Sequence, residues 1–280
     1  MSYRTFSRPN STNWTTHDWL TWAMAERLLL DVRTDIPEGV CAGCYGGTDK
    51  TYEDTTFVRD PSGVMTLHTE LRRWARCYPC NNFDGLDRIL PISYSLDNRL
   101  ESAIWRAKND TAHRWLNVPL ACILHTFLSR HLECIEDKWG PVDVITVVPS
   151  HATARGGWDH MKDLISRVRT WPGNDVWELD LLEKVGRSDA DTRRDRPRAD
   201  LFQLMPDKGA IEGQRVLLLD DTYTTGGTLR SAGLAVKAAG GHPVAVTIGR
   251  QVRNDQYGAH IVADAMSRDP LFDPRRCAIH

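Results

Sequence analysis

Residues 216–228 read Val-Leu-Leu-Leu-Asp-Asp-Thr-Tyr-Thr-Thr-Gly-Gly-Thr, an apolar run that ends in two acids and a threonine and glycine turn. Four consecutive apolar residues without alternation predict a strand buried on both faces, as in a parallel sheet, and the pattern over 229–239 predicts a helix directly after the turn. Gly226 and Gly227 admit positive φ and close backbone approach, and consecutive N–H groups at a helix start form a cup suited to a phosphate. The hydroxyls of Thr224, Thr225 and Thr228 can close that cup. Asp220 and Asp221, at the carboxyl end of the strand, are placed to accept hydrogen bonds from vicinal hydroxyls one sugar-length away. A ribose 5-phosphate satisfies both halves. An ordinary strand, turn and helix cap accounts for the apolar run and the glycines, but not for two acids beside three threonines. Neither G-x-x-x-x-G-K-[ST] nor a strand-linked G-x-G-x-x-G occurs in the chain.

The rest of the chain supplies a frame for such a strand. From residue 142 onward strands and helices alternate: strands over 142–148, 176–185, 216–219 and 244–249, helices over 158–170, 228–239 and 258–266. Such alternation implies an α/β fold with a parallel sheet, whose ligands bind at strand carboxyl ends. Upstream, helices are expected over 19–32, where Thr15 and Asp18 make a short capping box, from Asp97 to Lys108, and from Pro119 to about Gly140. His125 and His131 on the last of these read as surface or internally satisfied side chains. Residues 1–13 and the last dozen residues are expected to be loosely packed.

At 280 residues the chain accommodates one sizeable α/β domain and a smaller module. The division predicted is an N-terminal helical extension over 1–36, a zinc-ribbon-like module over 37–95 and the α/β domain over 96–280. The formal net charge of −2 neither demands nor excludes nucleic acid, so phosphate recognition has to be local. No apolar run is long enough to span a bilayer and no signal-peptide core is present, which predicts a cytoplasmic protein with no membrane partner. An odd count of seven cysteines argues against a disulfide framework. Cys41-Ala-Gly-Cys44 and Cys77-Tyr-Pro-Cys80 instead form two C-x-x-C knuckles, each able to bring two thiolates to one tetrahedral ion, so a structural Zn²⁺ is expected. The 32 residues between the knuckles exceed the roughly 15–20 of a simple ribbon, and buried cysteines or separate redox pairs are the alternatives. Within this gap a hairpin is expected around residues 60–63 and a short helix over 71–76. Cys122, Cys134 and Cys277 read as isolated thiols.

The sequence Val-Leu-Leu-Leu-Asp-Asp-Thr-Tyr-Thr-Thr-Gly-Gly-Thr resembles the signature of type I phosphoribosyltransferases. That resemblance implies the fold of those enzymes and a site for phosphoribosyl pyrophosphate (PRPP). In it Asp220 and Asp221 hold the ribose hydroxyls and are the catalytic pair, and Thr222, Thr224, Thr225, Gly226, Gly227 and Thr228 complete the cradle of the 5-phosphate. The order of cysteine knuckles, amphipathic helices and phosphoribosyltransferase core further resembles the ComF family of competence-associated proteins. The lysine-bearing helix ending at Lys108, the stretch Val147-Val-Pro-Ser150 and the stretch Arg155-Gly-Gly-Trp-Asp159 fall where that family has their counterparts. By this likeness Pro149, Ser150 and His151 line the pyrophosphate, and Arg155 or the arginine-rich segment 187–198 closes over it. The segment 187–198 lacks the glutamine and asparagine usual in that family, and reads equally as a solvated charge run. The implied activity is Mg²⁺-dependent transfer of phosphoribose from PRPP to an unidentified small-molecule nitrogen acceptor with release of pyrophosphate. The alternative is a non-catalytic PRPP- or nucleotide-binding protein acting in DNA uptake or regulation. Base salvage is a third reading, although no segment is recognisable as a base pocket.

Overall fold

The structure is a computed structural model that describes residues 3–10, 13–32, 38–48, 51–96, 99–150, 158–186, 196–206, 208, 210–253, 258–267 and 272–279. Its centre is a four-stranded sheet, all parallel, in the order β3 (Arg88–Ser95), β8 (His242–Gln251), β7 (Arg215–Tyr223), β4 (Val144–Val147). The apolar run therefore lies in an interior strand, with β8 on one side and β4 on the other. Strand β7 continues through both acids to Tyr223, four residues beyond the end expected from the apolar run alone. Its side chains alternate between two cores: Leu217 and Leu219 face one, Val216 and Leu218 the other. Burial on both faces is what makes the run apolar without alternation.

One face is covered by α3 (Leu100–Asn109) and the long α4 (Asn117–Trp139), with α1 (Thr16–Ala25) packed on α4. Helix α4 buries Leu120, Ile123, Leu124, Phe127, Leu128 and Ile135, the stripe that its spacing predicts, and ends on Gly140 at positive φ. Helix α1 has the expected capping box of Thr15 with Asp18 but stops at Ala25, where Arg27 turns to φ 54°. Leu28, Leu29 and Val32 are buried as an irregular segment rather than as helix. The other face carries α6 (Gly227–Ala238) and the cysteine module, which includes the short α2 (Tyr78–Asn82). Helix α5 (His160–Ile165) is one turn and a half, shorter than the expected 158–170, because the chain turns at 166–169. Helix α7 (Ala259–Ser267) is close to its expected bounds.

Three expectations are corrected. The segment 176–185 is not one parallel strand: Trp177 makes a single parallel bridge to Ile145, and Leu182–Lys184 (β5) instead pairs antiparallel with Phe202–Leu204 (β6). The helix over 71–76 does not form. Strand β1 (Thr51–Arg59) and strand β2 (Met65–Arg73) pair along their whole length with Leu71 opposite Glu53, so the hairpin extends through that segment. Asp60 caps its turn by accepting from Ser62 and Val64 N–H groups, and Phe57 and Leu67 on the hairpin are 71% and 60% exposed. This hairpin is the insertion that lengthens the gap between the two knuckles. The described residues near both ends are also tied down. Phe6 is buried, Tyr3 stacks on Trp105, Cys277 is buried, and Tyr45 donates its hydroxyl proton to the Ala278 carbonyl at 2.9 Å.

Strand β3, at one edge of the sheet, comes from residues within the 37–95 span predicted as the cysteine module. Among the described residues no helix is long and apolar enough to cross a membrane. Asp97, His151, Arg155 and residues 187–195 lie outside the described residues.

Candidate functional site

The carboxyl ends of β4 and β7 are adjacent, with Val147 in register with Leu219 and Val148 N–H donating to the Leu219 carbonyl. The chain leaves β4 at Pro149 and Ser150 beside the place where β7 reaches Asp220 and Asp221. Ser150 is held there by Asp159, whose carboxylate accepts from the Ser150 N–H at 3.1 Å and from its hydroxyl at 3.2 Å. The same Asp159 caps α5 by accepting from the Lys162 N–H, so α5 and the turn after β4 are fixed by one side chain.

The two acids sit in different surroundings. Asp221 is buried, and its Oδ2 accepts from Lys108 Nζ at 2.6 Å and lies 3.4 Å from His160 Nε2. Burial alone would raise its pKa, but the charge of Lys108, then that of His160, and hydrogen bonds from Lys108 and Thr222 hold Asp221 below the ordinary carboxylate value. Asp220 is half-buried, and its Oδ1 accepts from the Asp221 N–H. Burial and then the neighbouring Asp221 charge push its pKa up to about 7. One acid is thus a fixed anion and the other is poised to gain or lose a proton near neutrality.

Beyond the acids, Thr224 donates to Gln251 Oε1 at 2.6 Å, and Gly226 at φ 90° is the N-cap of α6. A Cβ on Gly226 would stand 2.2 Å from the Tyr223 hydroxyl oxygen, so both backbone sign and space exclude a side chain. No side chain caps this twelve-residue helix, whose first residues are Gly227 and Thr228. Its leading N–H groups and the positive end of its dipole therefore point out of the turn beyond the acids.

Cys41, Cys44, Cys77 and Cys80 form one group whose sulfurs all lie within 4.8 Å of one another and could hold a metal such as zinc. The separation of Cys44 Sγ from Cys77 Sγ is 3.6 Å, close to the edge of about 3.8 Å that a tetrahedron with Zn–S bonds of about 2.3 Å requires. Backbone N–H groups of Gly43 and Cys77 donate to Cys41 Sγ at 3.3 and 3.2 Å, as they would to a thiolate. Two buried arginines face the group. Arg230 Nη2 is 3.1 Å from Cys80 Sγ while its Nη1 donates to the Phe83 carbonyl; Arg250 donates to the carbonyls of Cys44, Tyr223 and Thr224 and reaches Cys44 Sγ at 3.8 Å. Hydrogen bonds from Cys41 first, then from Cys77 and Cys80, hold the Cys44 thiol well below its ordinary pKa, with Arg250 adding to the effect. Buried guanidinium charge calls for buried anions, and four thiolates on a divalent ion supply a net charge of about −2.

Sequence reasoning placed the acids, the turn, Pro149 and Ser150 at neighbouring strand ends, and the likeness to ComF proteins pointed to Lys108. It missed the roles of His160, Asp159, Gln251, Arg230 and Arg250. Asp159 before a helical pattern was the available signal for a cap; the partners of the others come from distant segments, such as Asp221 for His160 and Cys80 for Arg230, and leave no local signature. No protein-family model matches the chain, and no curated protein matches it.

Proposed function

We infer that the chain is a Mg²⁺-dependent phosphoribosyltransferase with the type I phosphoribosyltransferase fold, using PRPP to ribosylate a small nitrogen nucleophile. One observation carries the reading: on a single interior strand of a parallel sheet, two carboxylates of different protonation behaviour run directly into a glycine-capped helix start with no side-chain cap. The helix N-terminus suits the 5-phosphate, and the carboxylates suit the ribose hydroxyls one sugar-length away. Vicinal hydroxyls donate to Asp220 and Asp221, and their negative charge favours the cationic ribose that develops as pyrophosphate departs. Lys108, ion-paired to Asp221, fixes that carboxylate and adds positive charge where the pyrophosphate would lie. Ser150, positioned by Asp159, stands at the next strand end to receive the same group. Mg²⁺ would bind through substrate phosphates and neutralise them, with few protein ligands of its own. Zn²⁺ on Cys41, Cys44, Cys77 and Cys80 would be structural, since four thiolates leave no open position.

The binding-only reading, a PRPP or nucleotide sensor, is favoured by the ion pair, because Lys108 already holds the Asp221 carboxylate. Pyrophosphate release separates the two. Purified protein with PRPP, Mg²⁺ and a panel of bases and amines is expected to release pyrophosphate with one acceptor. Saturable PRPP binding with no acceptor-dependent release would favour the sensor, and absence of PRPP binding would remove both.

A further inference from the structure

The structure brings together three side chains that the sequence leaves 146 residues apart at their extremes: His131 and Cys134 on α4, and Cys277 near the chain's end. We propose that they form a second transition-metal site, taking Zn²⁺ through His131 Nδ1, Cys134 Sγ and Cys277 Sγ, which clasps the C-terminal segment to α4. The three ligand atoms lie within 4.8 Å of one another, and Cys134 Sγ is 3.7 Å from His131 Nδ1. Tetrahedral zinc with bonds of about 2.3 Å to sulfur and 2.0–2.1 Å to nitrogen needs edges of about 3.5–3.8 Å, so only small side-chain adjustments separate this group from a bound geometry.

The surroundings favour coordination. Spacing of i and i+3 puts His131 and Cys134 on the same face of α4. The other ring nitrogen of His131, Nε2, lies 3.0 Å from the Pro274 carbonyl. A carbonyl only accepts, so Nε2 carries the proton and the neutral ring turns the Nδ1 lone pair toward the sulfurs. Donation of the distal N–H to a carbonyl is the usual way a metal-bound histidine is oriented. His131 and Cys277 are buried, and the ring of Phe127 lies 5.1 Å from that of His131, which gives the group an apolar wall. Cys134 is partly exposed, leaving a side from which water can complete the four-coordinate shell. Cys277 is brought in by contacts other than the cluster itself: Arg276 pairs with the buried Asp31 at 3.1 Å, and Tyr45 holds the Ala278 carbonyl. A ligand set of two cysteines and one histidine with an open fourth position is a borderline-soft donor set that suits zinc.

This site is independent of the phosphoribosyl reading and of the four-cysteine group. Elemental analysis of full-length protein purified under reducing conditions from zinc-supplemented cells tests it, with circular dichroism confirming that each variant is folded. The expected result is two zinc ions per chain in the wild type and one in Cys277→Ser. His131→Gln, whose amide can keep the bond to Pro274 while losing the ligand, is expected to fall to one as well. Cys44→Ser is expected to keep the zinc of this second site. Two ions retained in folded Cys277→Ser, or a wild type with a single ion that Cys44→Ser removes, overturns the proposal. A Cys134–Cys277 disulfide mapped by mass spectrometry in zinc-replete reduced protein would overturn it too.

Discussion

Two adjacent acids, Asp220 and Asp221, are made unequal by their neighbours. Asp221 is 5% exposed at its side chain and is held ionised by Lys108, itself a quarter exposed. Removing the cation takes the nearest counter-charge from a buried carboxylate and leaves it only the more distant His160 and the Thr222 side chain. Lys108→Met is therefore expected to lower stability by about 1–3 kcal/mol, read by urea unfolding; an unchanged midpoint would mean that the pair contributes nothing. Asp220 has the opposite environment. Its pKa of about 7 stands above the usual 3.8, so the folded chain keeps a proton that the unfolded chain has released between about pH 4 and 7. The stability of the ligand-free chain should fall with rising pH across that window. Ribose hydroxyls donate more strongly to an ionised carboxylate than to a neutral carboxyl, so PRPP affinity should climb as pH rises through about 7, by about tenfold to a hundredfold in all, and level off above. Calorimetry across this range with wild type and Asp220→Asn checks it, since the variant should show only the shallow dependence of the ligand's own phosphates. Equal slopes for the two proteins would refute the role of Asp220.

Among the elements, α6 matters for how it begins. Gly226 is at φ 90° and is packed against the Tyr223 hydroxyl, so Gly226→Val imposes backbone strain and a collision at the turn that opens the helix. Loss of binding of both PRPP and ribose 5-phosphate is expected, with the sheet intact by circular dichroism; binding within threefold of wild type would show that the helix start is not the phosphate cup. This element was legible in advance because strand, turn and helix follow one another in 216–239 and each carries its own local signal. The α4 stripe and the Thr15 cap were legible for the same reason. Leu71 was misread because its helical spacing competes with a cross-strand pairing to Glu53 that only the hairpin's full register reveals. The strand expected over 176–185 divides because its hydrophobic residues serve two partners, Ile145 through Trp177 and β6 through Leu182. Pairings between distant segments, such as Lys108 with Asp221 or Cys134 with Cys277, leave no periodicity to read.

In the whole molecule the cysteine group and the candidate PRPP turn are joined by Arg250, which donates at once to the Cys44 carbonyl and to the carbonyls of Tyr223 and Thr224. Gly46 lets that guanidinium pass, since a Cβ there would stand 2.3 Å from Arg250 Nη2. A zinc ion on the four cysteines would therefore brace the turn as well as the module. Cys44→Ser is expected to lose the zinc of that group, to lower the melting temperature, and to weaken PRPP binding although it touches no ligand; full zinc content with unchanged melting would contradict this. Calorimetric titration of wild type and the Asp220→Asn, Asp221→Asn double variant with PRPP and Mg²⁺ is the direct test of whether the acids and the helix start bind PRPP. Charge-assisted bonds of about 1.5–3 kcal/mol predict a loss of about tenfold to a hundredfold per position in the variant. Absence of wild-type binding at millimolar PRPP, or equal affinity in the two proteins, would contradict the account.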